Sequence, residues 1–151
     1  LLKEKGFLDE TEELAGLKPL PVWNSPRSGD LESRAKAYLE VNCSHCHGQK
    51  GMAQSTGLIL EYENTQKTSS GICKAPVAAG RGSGGLKYAI SPGNPHESII
   101  VLRMDSKETD VMMPVCIVAM GLERFTLLFE RFSVGNPRKP ILVPARRFCR
   151  V

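Results

Sequence analysis

Two cysteines and two histidines lie within five consecutive residues of the chain, Cys43-Ser-His-Cys46-His47. The whole chain contains five cysteines and three histidines, so this segment holds much of its capacity for metal binding and redox chemistry. Three kinds of site use such a cluster: a zinc site, a reactive dithiol, and a point of covalent haem attachment.

The C-x-x-C-H spacing of this segment is typical of c-type haem attachment. Two thiols three residues apart on one turn can each form a thioether with one of the two vinyl groups of a haem. The adjacent imidazole can then ligate the iron. We therefore predict one covalent haem c per chain, bound through Cys43 and Cys46 and ligated by His47.

The two other kinds of site fit the pattern less well. A structural zinc site needs four ligands, usually in two close pairs, and the only plausible distant thiolate is Cys73. A thioredoxin-like dithiol follows a strand and lies at the N-terminus of a helix, whereas the spacing here predicts a helix before Cys43. Both remain alternatives to haem attachment.

The iron of a haem has a sixth position, for which a methionine thioether is a suitable ligand. Met113 precedes Pro114 in a predicted loop and is our first candidate, with Met112 second; the alternative is that both fill the core. Met104 fits the apolar stripe of a predicted helix better. His45 is confined to the attachment loop, and His96, at a helix start, is more typical of a surface residue.

Three helices are predicted around these candidates. Asp30 is a suitable N-cap for a helix that begins at Leu31 and runs into Cys43, with Glu32 in its first turn. Asn94 and Pro95 predict the start of a second helix, which carries Ile99, Ile100 and Met104. Residues 121–132 have the apolar spacing of a third helix.

A glycine-rich stretch between the first two helices offers further contacts for a haem. Gly80, Gly82, Gly84 and Gly85 allow backbone to pass close to a haem edge, and the stretch lacks the strand and helix of a dinucleotide site. Arg81 is a candidate to bind a haem propionate, or is a solvated loop arginine. The carbonyl of Pro76 is a candidate acceptor for Nδ1 of His47.

Length and charge limit the organisation of the chain. Its 151 residues suffice for one domain, and no apolar run reaches the 18 residues of a membrane span. Residues 115–151 carry seven Lys and Arg against two Glu, so the net charge of +4 comes from this C-terminal segment. These dispersed cations do not indicate nucleic-acid binding. We expect a helix end and Pro-rich linker over 1–29, a haem domain over 30–132, and a poorly ordered basic tail over 133–151.

The segments "RAKAYLEVNCSHCH", "GICKAPVAAGRGSGG", "ISPGNPHESIIVLRM" and "DVMMP" resemble a class I cytochrome c domain. More specifically, they are similar to the C-terminal haem domain of an uncharacterised bacterial family of dihaem c-type cytochromes, from about Leu20 to Pro114. The resemblance implies a small all-α domain wrapped around its haem, with long loops. It also implies that Ala35 and Leu39 pack against a last helix, although the chain departs from the family after Pro114.

These features predict an electron carrier, with His47 and Met113 as axial ligands, that works in the periplasm or another extracytoplasmic space. The alternative is the electron-accepting domain of a larger periplasmic oxidoreductase, such as a dehydrogenase or dihaem peroxidase. Expected partners are redox proteins or an upstream domain of the same parent chain. Because the chain begins Leu-Leu-Lys, we interpret it as a fragment or processed form and expect its export signal to lie outside it.

Overall fold

The computed structural model describes residues 4–6, 18–78, 80–111 and 149. These residues form two α-helices, α1 at Leu31–Cys43 and α2 at Ile99–Asp105, and three short 3-10 helices at Gln54–Thr56, Arg81–Ser83 and Pro95–Glu97. Isolated β-bridges pair Ile72 with Ile90 and Tyr88 with Ser98. Turns and loops make up the rest of the described ranges, so most of the chain around the motif is positioned by individual hydrogen bonds.

Helix α1 begins and ends where the sequence predicts. A carboxylate oxygen of Asp30 accepts a hydrogen bond from the backbone N–H of Ser33 at 2.7 Å, and Glu32 lies in the first turn. The N-cap bond satisfies one of the amide groups that have no partner inside the helix. The last helical residue is Cys43. The predicted helix that leads directly into the cysteine motif is therefore confirmed.

The apolar core joins α1, α2 and the loops between them. Tyr38 and Leu39 of α1 are buried together with five core side chains of the later segments, of which Ile90 is only 1% exposed. Trp23 packs against this core, and its ring lies edge-on to Tyr38 with centroids 6.4 Å apart. The core also includes, from its other segments, Leu60, Ile90, Ile100, Val101 and Met104.

The second predicted helix differs from the observed structure. Pro95–Glu97 is a 3-10 helix, and Ser98 is extended, with φ −103° and ψ 123°, before α2 begins at Ile99. Ser98 accepts a hydrogen bond from Ser91 N–H at 2.9 Å and pairs with Tyr88 in a β-bridge. The expectation of one continuous helix from Pro95 is wrong because this pairing requires extended backbone at Ser98.

A disulfide joins Cys73 to Cys149, with their Cα atoms 5.4 Å apart. Cys73, which the sequence offered as the distant thiolate of a zinc site, is therefore joined to another cysteine. The predicted helix over 121–132, the ligand candidates Met112 and Met113, and the remainder of the tail lie outside the described residues. Within the part of the chain that the structure describes, no helix has the length and apolar character needed to cross a membrane.

Candidate haem-attachment site

The cysteine motif forms a tight turn at the C-terminal end of α1. The backbone N–H groups of Cys46 and His47 both donate to the carbonyl of Cys43, at 3.1 Å and 2.8 Å. This turn keeps the two thiols and the imidazole within one turn of chain. The side chains of Cys43 and Cys46 are partly exposed, and Cys43 also packs against the core. The first thiol is therefore fixed by the same packing that fixes α1.

The chain that follows the motif is bound closely to residues 60 and 61. The N–H of Leu60 donates to the carbonyl of His47 at 2.7 Å, and the N–H of Gln49 donates to a carboxylate oxygen of Glu61 at 2.8 Å. Gly48 is buried at this crossing, where a Cβ atom would lie 2.6 Å from the carbonyl oxygen of Ser44. Only glycine fits here without a shift of backbone.

The imidazole of His47 is half-buried, and its Nδ1 lies 3.3 Å from the hydroxyl oxygen of Thr56. The carbonyl of Pro76 is the partner that the sequence predicts for this nitrogen, and the structure has the hydroxyl of Thr56 in that place. The cause is a bond from the N–H of Ala53 to the carbonyl of Cys46 at 2.9 Å, which folds the chain back on the motif. The 3-10 helix Gln54–Thr56 consequently lies beside the His47 ring.

The surroundings of His47 favour its neutral form. Burial lowers the pKa of the ring below its ordinary value, and the positive charges of Arg103 and His45 lower this pKa further. A neutral imidazole has one ring nitrogen without a hydrogen, and such a nitrogen is what a metal ion requires. The ring is therefore in a suitable state to act as a ligand.

Arg103 connects the surroundings of His47 with the segment that leads to the methionine candidates. Its guanidinium is half-buried, and Nε donates to the carbonyl of Val111 at 3.0 Å. Val111 is buried and precedes Met113 by two residues. Sequence reasoning missed Arg103; the available signal was a single cation within the apolar stripe "SIIVLRM".

Arg81 lies on the glycine-rich turn, residues 80–85, and its guanidinium forms two ion pairs. It lies 3.3 Å from a carboxylate oxygen of Glu108 and 3.1 Å from one of Asp110, with its side chain 77% exposed. This exposure agrees with the interpretation of Arg81 as a solvated loop residue. Its positive charge is paired with the carboxylates of Glu108 and Asp110. Its predicted contact with a haem propionate stays a prediction.

The remaining candidate ligands lie where sequence reasoning expected. His96 is exposed on the 3-10 helix Pro95–Glu97, and Met104 is 8% exposed within the core. The interpretation of His96 as a surface residue and of Met104 as part of a helix stripe is confirmed. His45 is exposed in the motif itself. Neither histidine has the burial that His47 has.

The described residues do not supply the further ligands of a zinc site. Across residues 18–78 and 80–111, no group of three or more His, Cys, Asp and Glu side chains is arranged to hold a metal ion. A haem attached through thioethers has no such requirement, because the cysteine sulfurs bind the porphyrin and, of the motif residues, only the imidazole ligates the iron. Comparison of the chain with protein-family models, curated proteins and solved structures finds no match.

Proposed function

We propose that this chain is an electron-transfer module that carries one covalent haem c. Cys43 and Cys46 form the thioether bonds, His47 ligates the iron, and Met113 is the sixth ligand. The proposed architecture is the small all-α domain of class I cytochromes c. The observation that carries this proposal is the turn at the end of α1, which holds two partly exposed cysteines beside a half-buried imidazole whose pKa is lowered by burial.

The residues of the turn fit covalent haem attachment chemically. Thioether formation needs thiols that a vinyl group can reach, and both cysteines are partly exposed. Ligation needs an imidazole nitrogen without a hydrogen, and burial together with nearby cations disfavours the charged ring of His47. The buried Gly48 keeps the following backbone against the motif, so that the turn is preformed.

The proposed sixth ligand is supported by the position of the chain just before it. Val111 is bound to Arg103, and the charge of Arg103 acts on His47. Arg103 therefore links Val111, which precedes Met113 by two residues, with the surroundings of His47.

The chemistry divides between the cofactor and the protein. A bound haem would supply a one-electron couple between ferrous and ferric iron. Cys43 and Cys46 would tether the group and His47 would ligate its iron, while the apolar core against which Cys43 packs, with Leu39, Leu60 and Met104, would exclude water from that side. Burial, ligand identity and hydrogen bonding are the factors that set the reduction potential.

An extracytoplasmic location is supported by the disulfide between Cys73 and Cys149. Disulfides form and persist in oxidising spaces such as the bacterial periplasm, and they are rare in the cytosol. Haem attachment after export to the periplasm and formation of this bond would take place in the same compartment. We propose redox proteins of that compartment, or an upstream domain of the parent chain, as partners.

Spectroscopy of protein expressed with a haem-attachment system tests this function. We expect a low-spin spectrum that is reduced and reoxidised reversibly, and loss of that low-spin spectrum in His47→Ala. His45→Ala, two residues away and exposed, is the matched control and should retain it.

The sixth ligand is tested in the same spectra. Met113→Ala should lose the charge-transfer band of methionine ligation, whereas Met112→Ala should keep it. A wild-type protein with high-spin ferric iron that binds cyanide rapidly would instead indicate a vacant sixth position, as in the enzyme alternative. An unchanged ligand-field spectrum in Met113→Ala would remove Met113 as the ligand.

A further inference from the structure

We infer that Thr56 is the positioning residue of the proposed haem ligand: its hydroxyl accepts the Nδ1–H of His47 and thereby directs Nε2 to the metal. This inference rests on the proposed function and adds a residue that neither the motif nor the resemblance identifies. Thr56 lies nine residues beyond His47, at the end of the 3-10 helix Gln54–Thr56.

The assignment of donor and acceptor follows from the single hydrogen of a hydroxyl group. The oxygen of Thr56 lies 2.7 Å from the carbonyl oxygen of Ala53, which can only accept, so the hydroxyl hydrogen is used there. The same oxygen then faces Nδ1 of His47 with a lone pair at 3.3 Å. The hydrogen of that contact must come from Nδ1.

Protonation of Nδ1 decides which nitrogen is available to a metal. A neutral imidazole carries one hydrogen, so a ring protonated at Nδ1 has its lone pair at Nε2. An acceptor that binds the other ring nitrogen fixes both the tautomer and the orientation of a histidine ligand, and it increases the donor strength of the ligating nitrogen. Thr56 therefore selects the nitrogen that a haem attached at Cys43 and Cys46 would use.

The hydroxyl of Thr56 is itself held in place by its surroundings. The oxygen also accepts a hydrogen bond from the N–H of Leu58 at 3.2 Å. The turn that carries Thr56 is anchored to the motif by the bond from the N–H of Ala53 to the carbonyl of Cys46. The acceptor thus has a fixed position relative to the His47 ring, which a positioning residue needs.

The test compares wild type with Thr56→Val, which removes the hydroxyl at constant shape, and Thr56→Ser, which retains it. Ser70→Ala is the matched control for loss of a turn hydroxyl, because Ser70 donates to the carbonyl of Lys67 at 2.8 Å and has no part in the His47 contact. The first readout is the solvent exchange of the His47 Nδ1–H by NMR. The second is the reduction potential of the haem-loaded protein.

We expect Thr56→Val to exchange the Nδ1 hydrogen at least tenfold faster than wild type and to have a more positive potential, since a weaker imidazole donor stabilises ferric iron less. Thr56→Ser and Ser70→Ala should match wild type in both readouts. Wild-type exchange and potential in Thr56→Val would overturn the assignment, and so would an equal change in Ser70→Ala.

Failure of the proposed function has a different signature from failure of this inference. A colourless wild-type protein after expression with the attachment system would refute the haem function. In that protein the ring nitrogens of His47 still report the contact: wild type should favour the Nδ1–H tautomer, and Thr56→Val should shift the ratio towards Nε2–H. Equal tautomer ratios would overturn the role of Thr56 independently of haem.

Discussion

Two turns of this chain are predicted to meet the same cofactor, and they are built in different ways. The motif turn, residues 43–51, is tied by backbone bonds to segments before and after it, including the bond from Leu60 to His47. The glycine-rich turn, residues 80–85, closes mainly on itself: the N–H of Ser83 bonds to Gly80, and the N–H of Gly84 to Arg81. Its longer-range ties include the exposed ion pairs of Arg81.

The difference indicates which turn can hold a group in a fixed place. Backbone hydrogen bonds between distant segments and a buried glycine leave the motif turn little freedom to move. Exposed ion pairs contribute little to stability, because water screens them and long side chains lose entropy when they pair. We therefore expect substitutions in the motif turn to have large effects and substitutions in the glycine-rich turn to have small ones.

The two turns are compared most directly by replacing one glycine with alanine in each of them. In Gly48→Ala the new Cβ would lie 2.6 Å from a backbone oxygen of Ser44, so backbone must shift, at a cost of about 1–3 kcal/mol in the free energy of unfolding. A Cβ at Gly80 meets nothing within 4 Å, and its φ of −125° is open to any residue. Gly80→Ala should change stability by less than about 0.5 kcal/mol. Urea titration measures both; equal losses would contradict the distinction.

At the opposite end of α1, loss of the N-cap Asp30 should have a smaller effect on the free energy of unfolding, and this effect should depend on pH. Asp30→Ala should lower the free energy of unfolding by about 1 kcal/mol through loss of the N-cap. In the folded protein the hydrogen bonds from Ser33 hold the pKa of Asp30 below its ordinary value. The stabilisation is therefore present above that ordinary value, about 4, and is lost as pH falls through the lower folded pKa.

Asp30→Asn separates the cap from the charge, since asparagine is an equally good N-cap without a titrating group. Near pH 6 this variant should retain most of the wild-type stability. Below pH 4 its stability relative to wild type should rise. Denaturant titrations at several pH values measure this, and parallel pH profiles for the wild type and Asp30→Asn would refute the account of the cap.

The smallest effect is expected for the glycine-rich turn. Arg81→Gln should cost less than about 1 kcal/mol, and the loss should shrink in concentrated salt, because both ion pairs are exposed. Lys87→Gln, a nearby exposed cation on the same segment, is the matched control for loss of one charge. A change in the reduction potential of the haem-loaded Arg81→Gln protein that exceeds the change in the control would support the predicted propionate contact of Arg81.

The sequence was informative where structure depends on neighbours along the chain. An aspartate before an apolar helical stripe predicted both the start of α1 and its delivery into Cys43, because capping and helical spacing are local properties. The same helix places Cys43 and Cys46 at a helix C-terminus, whereas the dithiol of a thioredoxin-like protein lies at a helix N-terminus. The candidate thiols and imidazole were accessible to this reasoning for that reason.

The parts that escaped prediction depend on contacts between separate segments. Thr56 lies beside His47 because the N–H of Ala53 bonds to the carbonyl of Cys46 and folds the chain back. No residue pattern in that loop predicts such a turn. An arginine in a helix is usually expected on the solvent-facing side, yet the guanidinium of Arg103 donates to the carbonyl of Val111. The extended residue Ser98, which separates the 3-10 helix from α2, likewise results from pairing with Tyr88, and helix propensity does not predict such pairing.

The most direct test of covalent attachment is intact-mass spectrometry of the purified protein after denaturation and extraction with acidified acetone. The wild-type chain, expressed with a haem-attachment system, should retain the mass of one haem and its colour. The double variant Cys43→Ser/Cys46→Ser should have the mass of the bare polypeptide. Bare polypeptide from wild type, or pigment released into the acetone, would contradict the account.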